Sequence, residues 1–270
     1  MMDDPADFTV LLPVYGKDDP AHFKLAFDSV ALSSQAPAEI LICQDGVLPE
    51  PLRSAVSDAA RRGGVRLARN LGPAGLARNL NHGLNEARTA WIARADADDV
   101  NLPDRFARQV EFLRRHPEVA VLGGGIVEFA PDGARRRKPM PLTHDDIVRQ
   151  ARWRNPINHM TAFFRRDAAL ACGGYPIIPY KEDYGLWLTM IAGGYRLANL
   201  GEDLVEARLG ESFHERRSGA HNLASEYALF RIKREIPGLR QTALAAMIAR
   251  AGALTSAGMA RLIYQTVLRR

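Results

Sequence analysis

A chain of 270 residues, 47% of them hydrophobic, is long enough to bury one large α/β core, alone or with a helical appendage. Its two cysteines, Cys43 and Cys172, stand far apart with no CxxC pair and no Cys/His cluster, which excludes a disulfide framework and a structural zinc site. The formal net charge of +5 is uneven: residues 212–270 hold ten Lys/Arg against three Glu, so the basic character belongs to the C-terminal tail.

The first residues, MMDDPADFTVLLPVY, lack a basic segment leading into an apolar stretch and a small-residue cleavage site, so no signal peptide is expected. No apolar run reaches about 18 residues, so no transmembrane helix is expected either. A reducing, cytoplasmic setting fits both. Phe8 to Val14 reads as a buried strand, and Phe23, Phe27 and Val30 recur at helical spacing after it. Glu39 to Cys43 is a second strand, closed by the turn signal Asp45-Gly46. A helix from Pro49 to Arg62, a short strand Val65 to Leu67, a helix through Leu76, Leu80 and Leu84, and the strand Trp91 to Ala93 continue the alternation.

Strands alternating with helices imply right-handed crossovers and a mainly parallel sheet. Ligands of such sheets bind beyond the carboxyl ends of the strands. Tyr15, Asp45 and the run Asp96 to Asp99 all fall there, so three segments are expected to meet in one crevice.

Further along, Pro103 suits a first helical turn, and Phe106, Val110 and Leu113 line one helix face before His116-Pro117 stops it. Short strands are expected at Val119 to Leu122 and Ile126 to Phe129, then a basic loop Arg135 to Lys138 and a less regular stretch containing NPINHMTAFF and YKEDYGLWLTM. From about Gly219 the pattern is helical. The expected division is a main α/β domain over 1–211, with a first half at about 8–100 and a second at about 101–211, followed by a helical extension over 212–270.

The run DADDV carries the chemistry. On an extended segment Asp96 and Asp98 point to one side, with Cα atoms about 6.5–7 Å apart. Carboxylates this close raise each other's pKa unless a cation intervenes, and a hard ion such as Mg2+ is held by one or two carboxylates together with substrate phosphates. Helix capping by Asp96 and Asp99 is the plain alternative. DADDV also fits the nucleophile motif of aspartate-based phosphatases, although that motif follows a first core strand and here three strands precede it.

With LLPVY, a strand-end QDG, RNLGPAGLARNLNHGL, DADD and EDYGLW in this order, the chain resembles the inverting family-two glycosyltransferases of GT-A fold. Within them it is similar to bacterial cell-surface polysaccharide transferases of the amylovoran-biosynthesis type, which share the wording around PDRF, NPINHMTAFF and GGY; the likeness covers about residues 8–210. It implies a Rossmann-like, mixed but mainly parallel sheet flanked by helices. It also implies a Mn2+- or Mg2+-dependent enzyme moving a hexosyl or N-acetylhexosaminyl group from a nucleotide-diphosphate sugar, with UDP expected, to a hydroxyl of a growing, polyprenyl-linked polysaccharide.

The same resemblance makes Pro13, Val14 and Tyr15 the nucleotide-facing end of the first strand. Asp45 would contact uracil or ribose, with Gln44 standing where many members have a second acid. Arg78 and Asn79 would approach the nucleotide. Asp98 would ligate the metal, Asp96 would touch the ribose or a metal-bound water, and Asp99 would lie near the sugar. Asp183 would be the base that takes the acceptor proton, since a sugar hydroxyl is a poor nucleophile without one, and Glu182 would bind hydroxyls. His159 would face the acceptor and Trp187 would be a sugar platform or core. His214, with Arg216 and Arg217, would close over the diphosphate as ligand or charge clamp.

In the tail, Leu244, Met247, Ile248, Ala251 and Leu254 form an apolar stripe that Leu262, Ile263 and Val267 continue, beside Arg250, Arg261, Arg269 and Arg270. Such a helix can lie on an anionic membrane surface or pack on the catalytic domain, giving a cytoplasmic protein with or without peripheral contact to the inner face of the membrane. A basic module binding nucleic acid or membrane without catalysis is the competing class. The tail's single Tyr264 and absence of interleaved aromatics speak against nucleic acid.

Overall fold

The computed structural model describes residues 4–130, 133–209 and 221–248. Its first half alternates as the apolar runs dictate: β1 (Phe8–Tyr15), α1 (Pro20–Ala31), β2 (Glu39–Asp45), α2 (Leu52–Ala60), β3 (Val65–Asn70), α3 (Leu76–Glu86) and β4 (Trp91–Arg94). In β1 every residue but the last is buried, as expected of a strand covered on both faces. At the start of α1 the Asp19 carboxylate accepts the backbone N–H groups of Ala21 and His22, and Pro20 occupies the first turn, two features that favour a helix start. These four strands run parallel in the order β3-β2-β1-β4.

The second half comprises β5 (Val100–Asn101), α4 (Arg105–Arg115), β6 (Val119–Phe129), β7 (Arg135–Lys138), α5 (His144–Ala151), a 3-10 turn (His159–Thr161), β8 (Phe163–Arg165), α6 (Arg166–Ala171), α7 (Glu182–Ala192), β9 (Arg196–Arg208) and α8 (His221–Arg234). It extends the same sheet through β8, antiparallel to both β4 and β6, then β9 parallel to β6 and β5 antiparallel to β9. The result is the expected mixed, mainly parallel sheet flanked by helices. Two local expectations differ. The separate strands at 119–122 and 126–129 are one strand, because Gly123 to Gly125 let it continue past close neighbours; a Cβ on Gly124 would collide with the Leu204 side chain. The basic stretch 135–138 is no loop but β7, an edge strand antiparallel to β6.

Alternating side chains of β1 feed two cores. Phe8, Val10 and Leu12 pack with α1, α2 and α4 through Phe23, Phe27, Val56, Phe106 and Val110, while Leu11 packs with α3 and α7 through Leu80, Leu84 and Trp187. The Phe8 ring sits 5.1 Å from Phe106 and 5.0 Å from Phe163. Burying each of these rings contributes about 1.5–3 kcal/mol. The α3 helix rides close on β2 because Gly83 has no side chain, since a Cβ there would come 2.5 Å from the Cys43 sulfur. In the described part of the tail, Leu229, Ile236 and Leu239 join the core around Trp187. Glu226 of α8 also pairs with Lys181 just ahead of α7. The apolar positions expected at 251 and beyond, and His214, lie outside the described residues. No described helix is long and apolar enough to cross a membrane.

Candidate active site

Strand β1 leads through α1 to β2 on one side, while β4 lies on its other side. At such a switch point the connections diverge and leave a crevice at the carboxyl ends. Tyr15 ends β1, 46% exposed, and its backbone N–H donates to the Asp18 carboxylate at 2.8 Å. Arg94 ends β4 and delivers Asp96, Asp98 and Asp99 beside it.

Beneath the acidic run lie two buried guanidinium groups. Arg94 is 0% exposed and donates to Asp96 and to the Ala95 carbonyl. Arg105, also buried, donates to the Arg94 carbonyl at 2.7 Å and to Gln109 Oε1 at 3.1 Å. Arg208, at the end of β9, donates from Nε to the Asp98 carbonyl at 3.4 Å and lies 4.7 Å over the Phe129 ring.

The carboxylates nevertheless remain short of positive charge. Burial pushes Asp18 up to about 7 against the Tyr15 N–H, with the charges of Asp98 and Asp96 adding to the shift. Burial, then neighbouring carboxylates, likewise raises Asp98 and Asp99. Among the described residues no three His, Cys, Asp or Glu groups converge on one metal position. The set fits a hard divalent ion held by one or two carboxylates, with the rest of its shell drawn from phosphate oxygens or water.

A second acidic pair opens the first turn of α7. Asp183 Oδ2 accepts the Asn155 side-chain amide at 2.6 Å, and Oδ1 accepts the Tyr184 backbone N–H at 2.7 Å. A helix N-terminus favours the ionised form, but burial outweighs it. Glu182 is pushed up to about 7, by burial and then by Asp183, and Asp183 up to about 6 by burial, opposed by Tyr184, Asn155 and Lys138. The charge of Asp96 raises both residues and that of Arg94 lowers Glu182.

Several residues expected at the site also make contacts within the fold. Pro13 and Val14 are buried in β1 and offer no side chain to a nucleotide. Asp45 accepts the Gly75 backbone N–H at 2.8 Å and the Asn70 amide at 3.1 Å, holding the turn ahead of α3. Arg78 is exposed beside that turn, with Nη1 3.4 Å from the Ala74 carbonyl. Asn79 is 1% exposed and donates to the Cys43 carbonyl at 2.6 Å, which ties α3 to β2. Asp99, 3% exposed, accepts the Arg208 backbone N–H at 2.8 Å and anchors β9. Trp187 is fully buried against Phe164, whose ring is 5.7 Å away, so it is core and no sugar platform. His159 pairs with the Tyr175 hydroxyl at 3.0 Å, and burial with Arg94 nearby holds its imidazole well below the usual range, neutral.

Asp18, Arg94, Arg105, Asn155 and Arg208 were not singled out by motif reasoning. Asp18 is hidden in KDDP, which reads as a helix start. Arg105 and Asn155 stand inside PDRF and NPINHM, where the polar letter amid apolar ones was the available signal.

Asp18→Asn isolates the charge shortage. A carboxylate whose folded pKa is raised to about 7 costs stability once it ionises, and that cost is absent at low pH. With chelator present, the variant is expected to melt a few degrees above the parent at pH 8, with the gap narrowing at pH 5 and closing toward pH 4. Differential scanning fluorimetry reads both, and a lower Tm at pH 8 counts against the repulsion.

A family model described as "Glycosyl transferase family 2" matches residues 9–174. The amylovoran biosynthesis glycosyltransferase AmsE of Erwinia amylovora is 35% identical over 229 residues, covering 84% of this chain and 85% of that protein. The UDP-Gal:alpha-D-GlcNAc-diphosphoundecaprenol beta-1,3-galactosyltransferase of Escherichia coli is 31% identical, covering 84% and 82%. Among solved structures, S. aureus TarS 1-349 in complex with UDP-GlcNAc superposes with a TM-score of 0.69 at 16% identity, over 90% of this chain and 72% of that one. Mannosyltransferase PcManGT from Pyrobaculum calidifontis, in complex with GDP-Man and Mn2+, gives 0.63 at 19% identity over 99% and 82%. At these identities the structures bear on the fold alone.

Proposed function

The chain belongs to glycosyl transferase family 2, and from that membership we propose that it moves a hexosyl or N-acetylhexosaminyl group, with inversion, from a UDP-sugar to a hydroxyl of a lipid-linked, cell-surface glycan. That it is a glycosyltransferase follows from the family; the donor, the ion and the acceptor are the proposal. The observations that carry it are the DADD run at the end of β4, with Asp96 held by the buried Arg94, and the Glu182-Asp183 pair opening α7, where Asp183 accepts the Asn155 amide and the Tyr184 N–H. Phosphatase use of DADDV and a purely nucleic-acid-binding role give way to the family membership.

Asp183 takes the proton of the acceptor hydroxyl as its oxygen attacks the anomeric carbon, and the bond to the diphosphate breaks on the opposite side. Asn155 and the Tyr184 N–H hold the carboxylate in place for this, and the raised pKa of the pair brings its basicity toward neutral pH. Glu182 binds sugar hydroxyls. Bound Mn2+ or Mg2+, held by Asp98 and assisted by Asp96, would offset charge on the departing diphosphate. Tyr15 and Arg78, exposed at the same end of the sheet, flank the nucleotide, and Arg208 adds positive charge beside Asp98.

Support for a UDP donor and a lipid-linked acceptor comes from the Escherichia coli relative, whose name gives both. Calorimetric titration with UDP, GDP, dTDP and CDP, each with and without Mn2+, is expected to give binding to UDP that depends on the ion and is lost in Asp98→Asn. Binding to none of the four would remove the nucleotide reading, and ion-independent binding would remove Asp98 as a ligand.

For the tail, whose sequence leaves packing and membrane contact open, we propose peripheral membrane contact. Leu244 and Ile248 are exposed one helical turn apart, near the exposed Arg240, a pattern suited to an anionic surface. Co-sedimentation with vesicles containing anionic lipid is expected in low salt and is lost on deleting residues 240–270; no pelleting in low salt sinks the idea.

A further inference from the structure

Asn155 and Asp183 meet from separate segments, and helix α8 is bound to both. One segment is the start of α7. Lys181, the residue just ahead of Glu182, pairs with Glu226, and the two side chains are 13% and 3% exposed. One residue earlier on α8, the Ser225 hydroxyl donates to the Pro179 carbonyl at 3.1 Å. Between these two anchored positions Tyr180 holds φ at 60°, a left-handed conformation that a non-glycine residue keeps only where its surroundings impose it.

The other segment is the chain between α5 and Asn155. Lys233 Nζ donates to the Arg152 carbonyl at 3.0 Å and lies 4.9 Å over the ring of Tyr184, the residue after Asp183. The Tyr184 hydroxyl donates in turn to the Ala151 carbonyl, and Arg152 Nη2 donates to the Gly238 carbonyl at 3.2 Å. Lys233 is 2% exposed.

Glu226, Leu229 and Lys233 follow one another at spacings of three and four, so they share one face of α8, and Leu229 is buried in the core around Trp187. Apolar side chains would suffice to cover that core, since replacing a buried ion pair by apolar groups is often neutral or stabilising. What the charged groups add is direction: burial of apolar surface is non-directional, whereas a hydrogen bond fixes which atoms meet.

We infer that Glu226 and Lys233 are positioning residues for the proposed base, fixing the start of α7 against the segment that carries Asn155 and so setting the contact between Asn155 and Asp183. The inference rests on the transferase reading of Asp183. Both residues act through others, Glu226 through Lys181 and Lys233 through the Arg152 carbonyl and the Tyr184 ring.

The test reads the contact itself, as the side-chain amide signal of Asn155 in proton–nitrogen correlation spectra of the full chain, assigned by its absence in N155A; D183A marks where the signal stands once the contact is lost. K233M and K181M/E226L are expected to move it about half way or more toward the D183A position. The apolar pair in K181M/E226L should keep Tm within a few degrees of the parent, which separates positioning from folding. Val56→Ala, in the core on the other side of the sheet, is expected to lower Tm and leave the signal in place. Release of UDP from UDP-galactose or UDP-N-acetylglucosamine with Mn2+, water standing in for the acceptor, should fall in kcat by a factor on the order of 10–10² in both α8 variants, the effect of a misplaced catalytic group, with KM for the donor within about twofold. A signal left at its parent position in either α8 variant, or moved as far by Val56→Ala, would overturn the joint role. Failure of the transferase reading shows separately, as no UDP release by the parent and no nucleotide binding in the four-nucleotide titration, while the amide signal still decides what α8 holds in place.

Discussion

Asp183→Asn is expected to lower kcat for sugar transfer by a factor on the order of 10²–10⁴ while leaving the affinity for the donor nucleotide within about twofold. The amide keeps the shape, and one oxygen can still accept the Tyr184 N–H, but it cannot take a proton. Its stability carries a second signature. The folded pKa of Asp183, about 6, stands above its ordinary 3.8, so the ionised form costs stability above about pH 6 and the cost vanishes as pH falls. The variant should melt no lower than the parent at pH 7.5, which separates lost chemistry from lost folding.

In the parent, kcat/KM should rise with pH through about 6–7 as the pair ionises; the apparent values belong to Glu182 and Asp183 together. Undiminished turnover in Asp183→Asn, or a rate flat from pH 5 to 8, would show that another group accepts the proton.

The first half was legible because its strands are continuous apolar runs and its helices repeat Phe23, Phe27, Val30 or Leu76, Leu80, Leu84 at one spacing. The acidic run and the pair on α7 were legible as letters. What escaped is relational. Asn155 meets Asp183 from 28 residues away, and Asp18 shares a field with Asp96 and Asp98 across three intervening strands of the sequence; no local pattern announces such partners. The edge strand β7 escaped for a different reason: RRRK has no apolar alternation, and its pairing is set by β6 rather than by burial. Asn79 shows the converse case, since a motif position names a residue but not the direction in which its side chain is turned, and here it is turned to the Cys43 carbonyl.

Arg94→Met should be the most damaging change outside the α7 pair, although the side chain is 0% exposed and touches no solvent. Its guanidinium donates to Asp96 and to the Ala95 carbonyl, and its charge favours the ionised forms of Asp18, Asp98, Asp99 and Glu182. Methionine fills much of the volume but leaves these carboxylates without their buried counter-charge. Breaking a buried pair in this way costs about 3–5 kcal/mol. Some of that returns because Arg105, whose pKa burial and then Arg94 push down, loses a cationic neighbour.

A net loss of this order lowers Tm by on the order of 10 °C at pH 8. The sign with pH is fixed by the same charges: without Arg94 the carboxylate pKa values rise further above their unfolded values, so the variant regains stability as pH falls and the gap to the parent narrows at pH 5. Arg94→Lys keeps a charge but not the two-pronged contact, and should fall between. Nucleotide affinity in the presence of Mn2+ should drop with Arg94→Met, because Asp96 is no longer held. Thermal melts at the two pH values and one titration decide it: a Tm unchanged at pH 8, with donor affinity intact, would mean that the acidic run is supported by other groups and that Arg94 is only packing.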